Sequence, residues 1–382
     1  MTRKSNKTKS RTELLGEVRR VVVKVGTYLL TGGQTGLDEK MIRSLAVQVA
    51  ALRREGYQVV LVTSGAIGAG TLELGLDCRP RSLPGLQAVA AVGQSVLMHL
   101  YRQEFASHGC LVGQVLLTRE DMDHRLRHLN ARHTIEALLE MGTIPIVNEN
   151  DTVAVEEIKF CDNDFLAAQL TNLVRAELMI ILTDVDGLLR PGTGTPCDWD
   201  LVARVDRIDD GIREMACGST REHSRGGMAG KLDAAAIVTR AGGMAVIANG
   251  RRRDVLAGIL AGEEVGTLFT SPFSRVRRRK CWIAFSRVRR GWIEVDDGAR
   301  RALVEKGRSL LASGITGVEG TFRPGDMVGV RGTDGTECAR GLVNYSAEDI
   351  AKIKGKRSAE IEAILGSVDY DEVVHRDNLL VL

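Results

Sequence analysis

Six short apolar runs, at residues 21–25, 59–62, 111–117, 144–147, 178–182 and 244–248, alternate with longer stretches of helical period. Runs of this kind, with little polar alternation, predict strands buried on both faces. Their alternation with helices predicts an α/β fold built on a doubly wound, mainly parallel sheet. Among the helical stretches, Asp38 caps one whose apolar positions Met41, Ile42, Leu45, Val49 and Leu52 recur at helical spacing, with Gly56 closing it. Residues 86–105 predict a mostly buried helix whose small residues imply tight packing, and residues 130–141, 232–241 and 255–260 predict three more.

Polar residues gather just past the apolar runs, where open α/β sheets place their ligands. Lys24 interrupts the first run. An ammonium in a buried strand is costly unless it meets an anion, so Lys24 points to phosphate, the alternative being a side chain that snorkels at the strand end. The second run leads into Thr63-Ser64-Gly65-Ala66-Ile67-Gly68-Ala69-Gly70, a junction whose N–H groups and hydroxyl suit an anion, although such glycines also serve close packing. It is neither the dinucleotide GxGxxG fingerprint nor a GxxxxGK[ST] phosphate loop. Residues 144–147 deliver the chain to Asn148-Glu149-Asn150-Asp151. Residues 152–159 then alternate as a hairpin standing off the sheet, and Asp162-Asn163-Asp164 opens the next helix ahead of Phe165, Leu166 and Leu170. Thr183 and Asp184 follow the run at 178–182, in position for nucleotide contacts or a turn cap, and Asp186-Gly187 reads as a turn. Arg225-Gly226-Gly227-Met228-Ala229-Gly230-Lys231 precedes the helix over 232–241 as a flexible element facing phosphate. A lysine in a first helical turn opposes the helix dipole and calls for an anionic partner.

The length of 382 residues favours two domains. Residues 1–19 are basic and rich in hydroxyls with no apolar segment, so they predict a disordered tail and no secretory signal. No apolar run approaches the roughly 20 residues that span a bilayer. Seven scattered cysteines with no CxxC pair fit a reduced cytoplasmic chain better than a zinc site or a disulfide scaffold. The net charge of +3 is unevenly spread: residues 271–290 carry eight basic residues and no acid, and repeat FSRVRR twelve residues apart. They predict a basic linker, with a solvated segment or an acidic partner weighed above nucleic acid. Residues 291–382 show short strand-like segments with turn glycines and few helical periods, a small β-rich domain.

The runs KVGTYLLT from Lys24, VTSGAIGAG from Val62, AAVGQS from Ala90, PIVNEND from Pro145, DNDFLAA from Asp162, LTDVDGL from Leu182 and GGMAGK from Gly226 together resemble the glutamate 5-kinases. The likeness covers nearly the whole chain after residue 20. GWIEVDDGARRAL, GRSLLASGI, EIEAILG and VVHRDNLLVL are similar to the PUA domain that follows the amino-acid kinase domain in many of them.

This resemblance implies an amino-acid kinase fold over 20–270, a basic linker over 271–290 and a PUA domain over 291–382. It implies transfer of the ATP γ-phosphoryl group to the side-chain carboxylate of glutamate with Mg²⁺, the first step of proline synthesis. Lys24 and Lys231 would contact the transferring group and Asp164 would hold both. Thr183, Asp184 and the stretch Arg225, Gly226, Gly227, Met228, Ala229, Gly230 and Lys231 would bind ATP, while Ser64, Asp151 and Asn163 would bind glutamate. Chemically, Asp151 and Asn163 suit the substrate's α-ammonium, leaving Ser64 and backbone N–H groups for its carboxylates. Arg225 and Gly230 stand where the family usually has threonine, which puts those side-chain contacts in doubt. The resemblance further implies inhibition by proline through the hairpin at 152–159, hand-over of the labile product to a reductase, and a homodimer or homotetramer. Two rivals are kept: another enzyme of the fold acting on acetylglutamate, aspartate or UMP, and RNA binding through the PUA domain. Aromatic residues at 4% of the chain supply few stacking platforms for RNA.

Overall fold

Val21, Val22 and Val23 have no solvent exposure, and the strand they form is central to the largest of three sheets among the described residues. The structure, a computed structural model, describes residues 9–33, 36–154, 163–191, 199–217, 227–271, 289–366 and 370–382. The chain divides into two compact units at residue 272.

In the first unit, β1 (Arg20–Val25), β2 (Gln58–Val62), β3 (Val112–Leu117), β4 (Ile144–Glu149) and β5 (Leu178–Thr183) run parallel in one sheet. β6 (Leu189–Pro191) and β7 (Trp199–Leu201) make a separate hairpin. β8 (Arg204–Val205), β9 (Met244–Asn249) and β10 (Thr267–Phe269) complete the sheet in the order β3-β4-β2-β1-β5-β9-β10-β8. Only the β9–β10 pair is antiparallel among these neighbours. The chain leaves β1 for β2 on one side and returns to β5 on the other, so the order reverses at β1. The crevice at such a switch point is where doubly wound folds bind ligands.

Alternation along β1 assigns its side chains to two cores. Val21, Val23 and Val25 belong to one, with α1 (Arg11–Leu15), α2 (Thr27–Thr31), α3 (Glu39–Arg54), part of α5 and α11, whereas Val22 belongs to the other. The remaining helices of this unit are α4 (Ala66–Glu73), α5 (Leu83–Ala106), α6 (Arg119–Asp123), α7 (Arg125–Glu140), α8 (Asn163–Leu173), α9 (Asp210–Cys217), α10 (Met228–Arg240) and α11 (Val255–Ala261). Leu166, Leu170 and Leu173 of α8 and Leu232, Ala235 and Val238 of α10 lie in the same core as Val22. Lys24, two residues on, shares that face.

Local rules account for several boundaries. Asp38 accepts from the Met41 N–H at 3.0 Å and caps α3, and Gly56 at φ 90° leaves it, as expected. Ser82 caps α5. Gly65 at φ 97° makes the turn from β2 into α4, a conformation that favours glycine. Where α4 crosses α5, a Cβ on Gly70 would lie 1.9 Å from Val89 O and one on Gly93 1.8 Å from Ala66 O, so the two backbones touch.

The structure corrects two expected boundaries. Residues 9–19, expected in a disordered tail, are ordered: Ser10 caps α1, Leu14, Leu15 and Val18 are buried, and Arg11 donates to the carbonyls of Ala203, Gly266 and Val265. Five residues are too few to show a helical period. Among the described residues α5 is the one helix long and apolar enough to cross a membrane by length and composition, a test that a core helix also passes. Its stripe of Leu86, Val89, Gly93, Leu97, Tyr101 and Phe105 is nevertheless buried within this unit. Residues 289 and 290, expected in the linker, begin a strand, and 272–288 lie outside the described residues. The hairpin at 152–159 lies outside them from 155 onward.

The second unit is the β-rich domain, with a five-stranded sheet of β11 (Arg289–Val295), β12 (Ile315–Gly320), β13 (Met327–Gly332), β14 (Glu337–Leu342) and β15 (Leu379–Val381) in the order β12-β11-β13-β14-β15. It also carries α12 (Asp297–Val304), α13 (Ala347–Ile353) and α14 (Ser358–Leu365), more helix than the sequence suggested. Asp296 and Ser346 cap α12 and α13, and these helices are short enough that their caps mark them better than any period. The Arg289 guanidinium stacks 3.8 Å from the Trp292 ring centroid and pairs with Glu337, while Arg331 pairs with Glu294 and Glu319.

Gly93→Ala should lower stability by about 1–3 kcal/mol or more, because the α4–α5 contact has no room to relax. Gly211→Ala, where a Cβ meets only Asp209 Oδ1 at 3.6 Å, should be neutral or slightly stabilising; thermal melts of both compare them.

Candidate active site

The C-terminal ends of four adjacent strands, β4, β2, β1 and β5, carry Asn148 to Asp151, Thr63-Ser64, Lys24 and Thr183-Asp184. Ladder-like hydrogen bonds continue past the strands and pin these ends: Thr63 N–H to Val147 O at 2.9 Å, Gly26 N–H to Leu182 O at 3.0 Å, and Gly250 N–H to Thr183 O at 2.9 Å. Residues far apart in sequence are thereby held in one row.

At one part of the row sits a buried charge cluster. Asp164, the second residue of α8, has no exposure; its Oδ1 lies 2.7 Å from Lys24 Nζ and its Oδ2 3.2 Å from Lys231 Nζ. The three side chains arrive from a strand end and two helix N-termini, all on the face of β1 that α8 and α10 cover. Burial opposes ionisation of Asp164, but the two ammoniums outweigh it and hold the carboxyl below the usual carboxylate range. Its share of stability is therefore present above about pH 4 and is lost only as the pH falls through that lowered value. Among the described residues two ammoniums converge on this one carboxylate, an arrangement that suits a further anion.

Beside it lies a network of side-chain amides. Asn163 Nδ2 donates to Thr63 O at 2.7 Å, Ser64 Oγ at 2.9 Å and Asn148 Oδ1 at 3.0 Å, and Asn148 Nδ2 donates to Gln94 Oε1 at 2.8 Å. The Thr63 carbonyl can only accept, which fixes the amino end of Asn163 toward it and orients each amide in turn. Asn163 Oδ1 and Asp151 Oδ1 are left buried with no hydrogen-bond partner among the described residues. Burial raises the Asp151 carboxyl to about 6, with Arg79 acting weakly the other way. Two buried acceptors without donors are a site for a cation bearing N–H groups.

The sequence-predicted residues thus fall into place unevenly. Lys24, Asp164 and Lys231 meet, and Ser64 and Asn163 meet. Thr183 Oγ1 donates to Asp184 Oδ1 at 3.1 Å at the end of β5, the neighbour of β1. α10 begins at Met228, four residues earlier than expected, so Met228, Ala229 and Gly230 are its first turn and Gly227 adjoins it, while Arg225 and Gly226 lie outside the described residues. The N–H groups of that first turn have no helical acceptor and can receive phosphate. Asn148 and Gln94 were not assigned roles from sequence. The only signal for Gln94 is an amide directly after Gly93, at the end of the small-residue run Ala90 to Gly93.

The amino acid kinase family matches residues 19–249, and the PUA domain matches residues 291–365. The glutamate 5-kinase of Geobacter sulfurreducens is 50% identical over 372 residues, 97% of this chain and 100% of its own length. That of Pelobacter propionicus is 49% identical over the same shares, and that of Moorella thermoacetica 48% identical over 96% of this chain and 97% of its own length. The chain belongs to the glutamate 5-kinase family. As in a member with both domains, the kinase region is the doubly wound unit described above and the PUA region the five-stranded one.

Asp164→Ala would leave two buried ammoniums facing each other and should cost about 3–5 kcal/mol. Added pyrophosphate should raise the melting temperature of this variant more than that of the parent chain, as a replacement anion would. Unchanged melting in Asp164→Ala would remove the cluster as the anchor of the site.

Proposed function

We propose that the chain is an ATP-dependent glutamate 5-kinase, transferring the γ-phosphoryl group of ATP to the side-chain carboxylate of L-glutamate to give γ-glutamyl phosphate and ADP, the first step of proline synthesis. The observation that carries this reading is the pair of lysines from separate elements held on one buried carboxylate. Membership of the family over nearly the full length supports it. No second reading is favoured by a specific observation.

Transfer to a carboxylate brings two anions together, and catalysis consists of neutralising charge and aligning reactants. The acceptor is already ionised near pH 7, so no general base is required. In the proposed pose the reacting carboxylate and the γ-phosphoryl group lie between Lys24 and Lys231. Charge spreading over the phosphoryl oxygens in the transition state is met by ammoniums already fixed by Asp164. The free N–H groups at residues 227–230 hold the ATP phosphates, and Thr183 and Asp184 hold the nucleoside. The substrate's α-ammonium donates to Asp151 and Asn163 Oδ1, and Ser64, accepting from Asn163, keeps its hydroxyl proton for a substrate oxygen. Among the described residues no three His, Cys, Asp or Glu side chains gather to hold a metal ion. Mg²⁺ would arrive on the ATP phosphates and shield their charge. Proline carries the same ammonium and α-carboxylate, which supports inhibition by competition at the amino-acid end of this site.

Three outcomes test the proposal. Glutamate-dependent ADP release should appear in a coupled assay, with hydroxylamine trapping the acyl phosphate as a hydroxamate; ADP release indifferent to glutamate would refute it. Lys231→Ala should abolish transfer while glutamate still binds by calorimetry. The glutamate KM should fall as the pH rises from 5 to 7, because Asp151 attracts the ammonium only when ionised, and Asp151→Asn should raise KM and flatten that dependence.

A further inference from the structure

Gln94 ends the amide network with one group unspent. Its Oε1 accepts from Asn148 Nδ2, so its Nε2 is the donor end, and that nitrogen is buried without a hydrogen-bond partner among the described residues. The orientation is not free: Thr63 O fixes Asn163, Asn163 fixes Asn148, and Asn148 fixes Gln94. A buried donor with no acceptor is costly, and a ligand that supplies the acceptor accounts for its being retained.

Taken together the network exposes a charge-and-hydrogen-bond template with two orphan acceptors, Asp151 Oδ1 and Asn163 Oδ1, and one orphan donor, Gln94 Nε2. An α-amino acid presents the complement, an ammonium and a carboxylate on one carbon. Resting on the glutamate kinase reading, in which the γ-carboxylate goes to the lysines and the ammonium to Asp151 and Asn163, the α-carboxylate still needs a donor. We propose that Gln94 is a specificity residue whose Nε2 donates to the α-carboxylate of the amino-acid substrate, and that Asn148 acts through it as a positioning residue. Gly93, the preceding residue, sits in backbone contact with α4 at Ala66 O, which keeps this part of α5 against the helix that follows Ser64.

Gln94→Glu and Gln94→Leu separate touching the substrate from holding the network. The glutamate side chain keeps an oxygen for Asn148 Nδ2 but sets a second anion where the donor was; leucine loses both. If Gln94 reads the α-carboxylate, glutamate KM rises about tenfold or more in Gln94→Leu and further in Gln94→Glu, with kcat and the KM for ATP changed less than about threefold. Competition by 4-aminobutyrate, which keeps the reacting carboxylate and the amine but lacks the α-carboxylate, should be unaffected by Gln94→Leu and strengthened relative to glutamate. A purely structural role would reverse the order, with Gln94→Glu near the parent and Gln94→Leu impaired toward glutamate and 4-aminobutyrate alike, and would overturn the proposal. Thermal melts of both variants with ATP bound exclude misfolding, and Gln94→Met, similar in volume, serves where leucine fails to fold. Glutamate turnover by the parent chain tests the kinase reading separately, so its failure is distinct from any result with the variants.

Discussion

One fully buried carboxylate sets the terms for the rest of the first unit. Asp164 costs solvation that nothing apolar could return, and it is tolerated because two ammoniums reach it, one on each oxygen. Each of those lysines would in turn be untenable where it stands without Asp164. The three therefore fix one another, and with them the C-terminal end of β1 and the starts of α8 and α10. The apolar packing of the two helices on the Val22 face supplies the bulk of the adhesion, but the charge cluster dictates where along the sheet they begin.

The amino-acid end is built on a different principle. There the chain uses neutral amides, whose donors and acceptors can be strung in sequence so that each orients the next. Only one charge, Asp151, is placed among them, and burial weakens its hold on ionisation. A site of this kind discriminates by the direction of its hydrogen bonds more than by field strength, whereas the lysine cluster acts by field strength on whatever anion is brought to it. In the proposed reaction, binding and chemistry thus go to neighbouring regions with unlike electrostatics.

Much of this was legible because buried strands leave a plain trace. A lysine in the run of valines at 21–25 called for an anion or for a strand end at which to snorkel, and the anion it meets is Asp164. The row of polar residues after the strands followed from the strand–helix rhythm alone, and the sheet order then made neighbours of them. What escaped the sequence did so for physical reasons. α1 is too short to show a period and is held by Arg11 reaching carbonyls 192 to 255 residues away. The antiparallel β10 has three residues and no pattern of its own. The start of α10 was placed late because glycines read as loop, while here Gly230 is carried within the helix. Gln94 looked like one polar residue on a helix of small ones, and its role depends on partners that only the fold supplies.

Asn163 and Asp164 are consecutive at the start of α8, and that adjacency has a consequence for the length of the molecule being phosphorylated. One side chain faces the amide network and the other the lysines, so the interval between the two regions is a single step of one helix. It cannot stretch without unwinding α8 from the sheet. In the proposed reaction this makes the helix start a molecular ruler, admitting chains whose amine and reacting carboxylate stand the right number of carbons apart and leaving a shorter homologue unable to touch both ends at once.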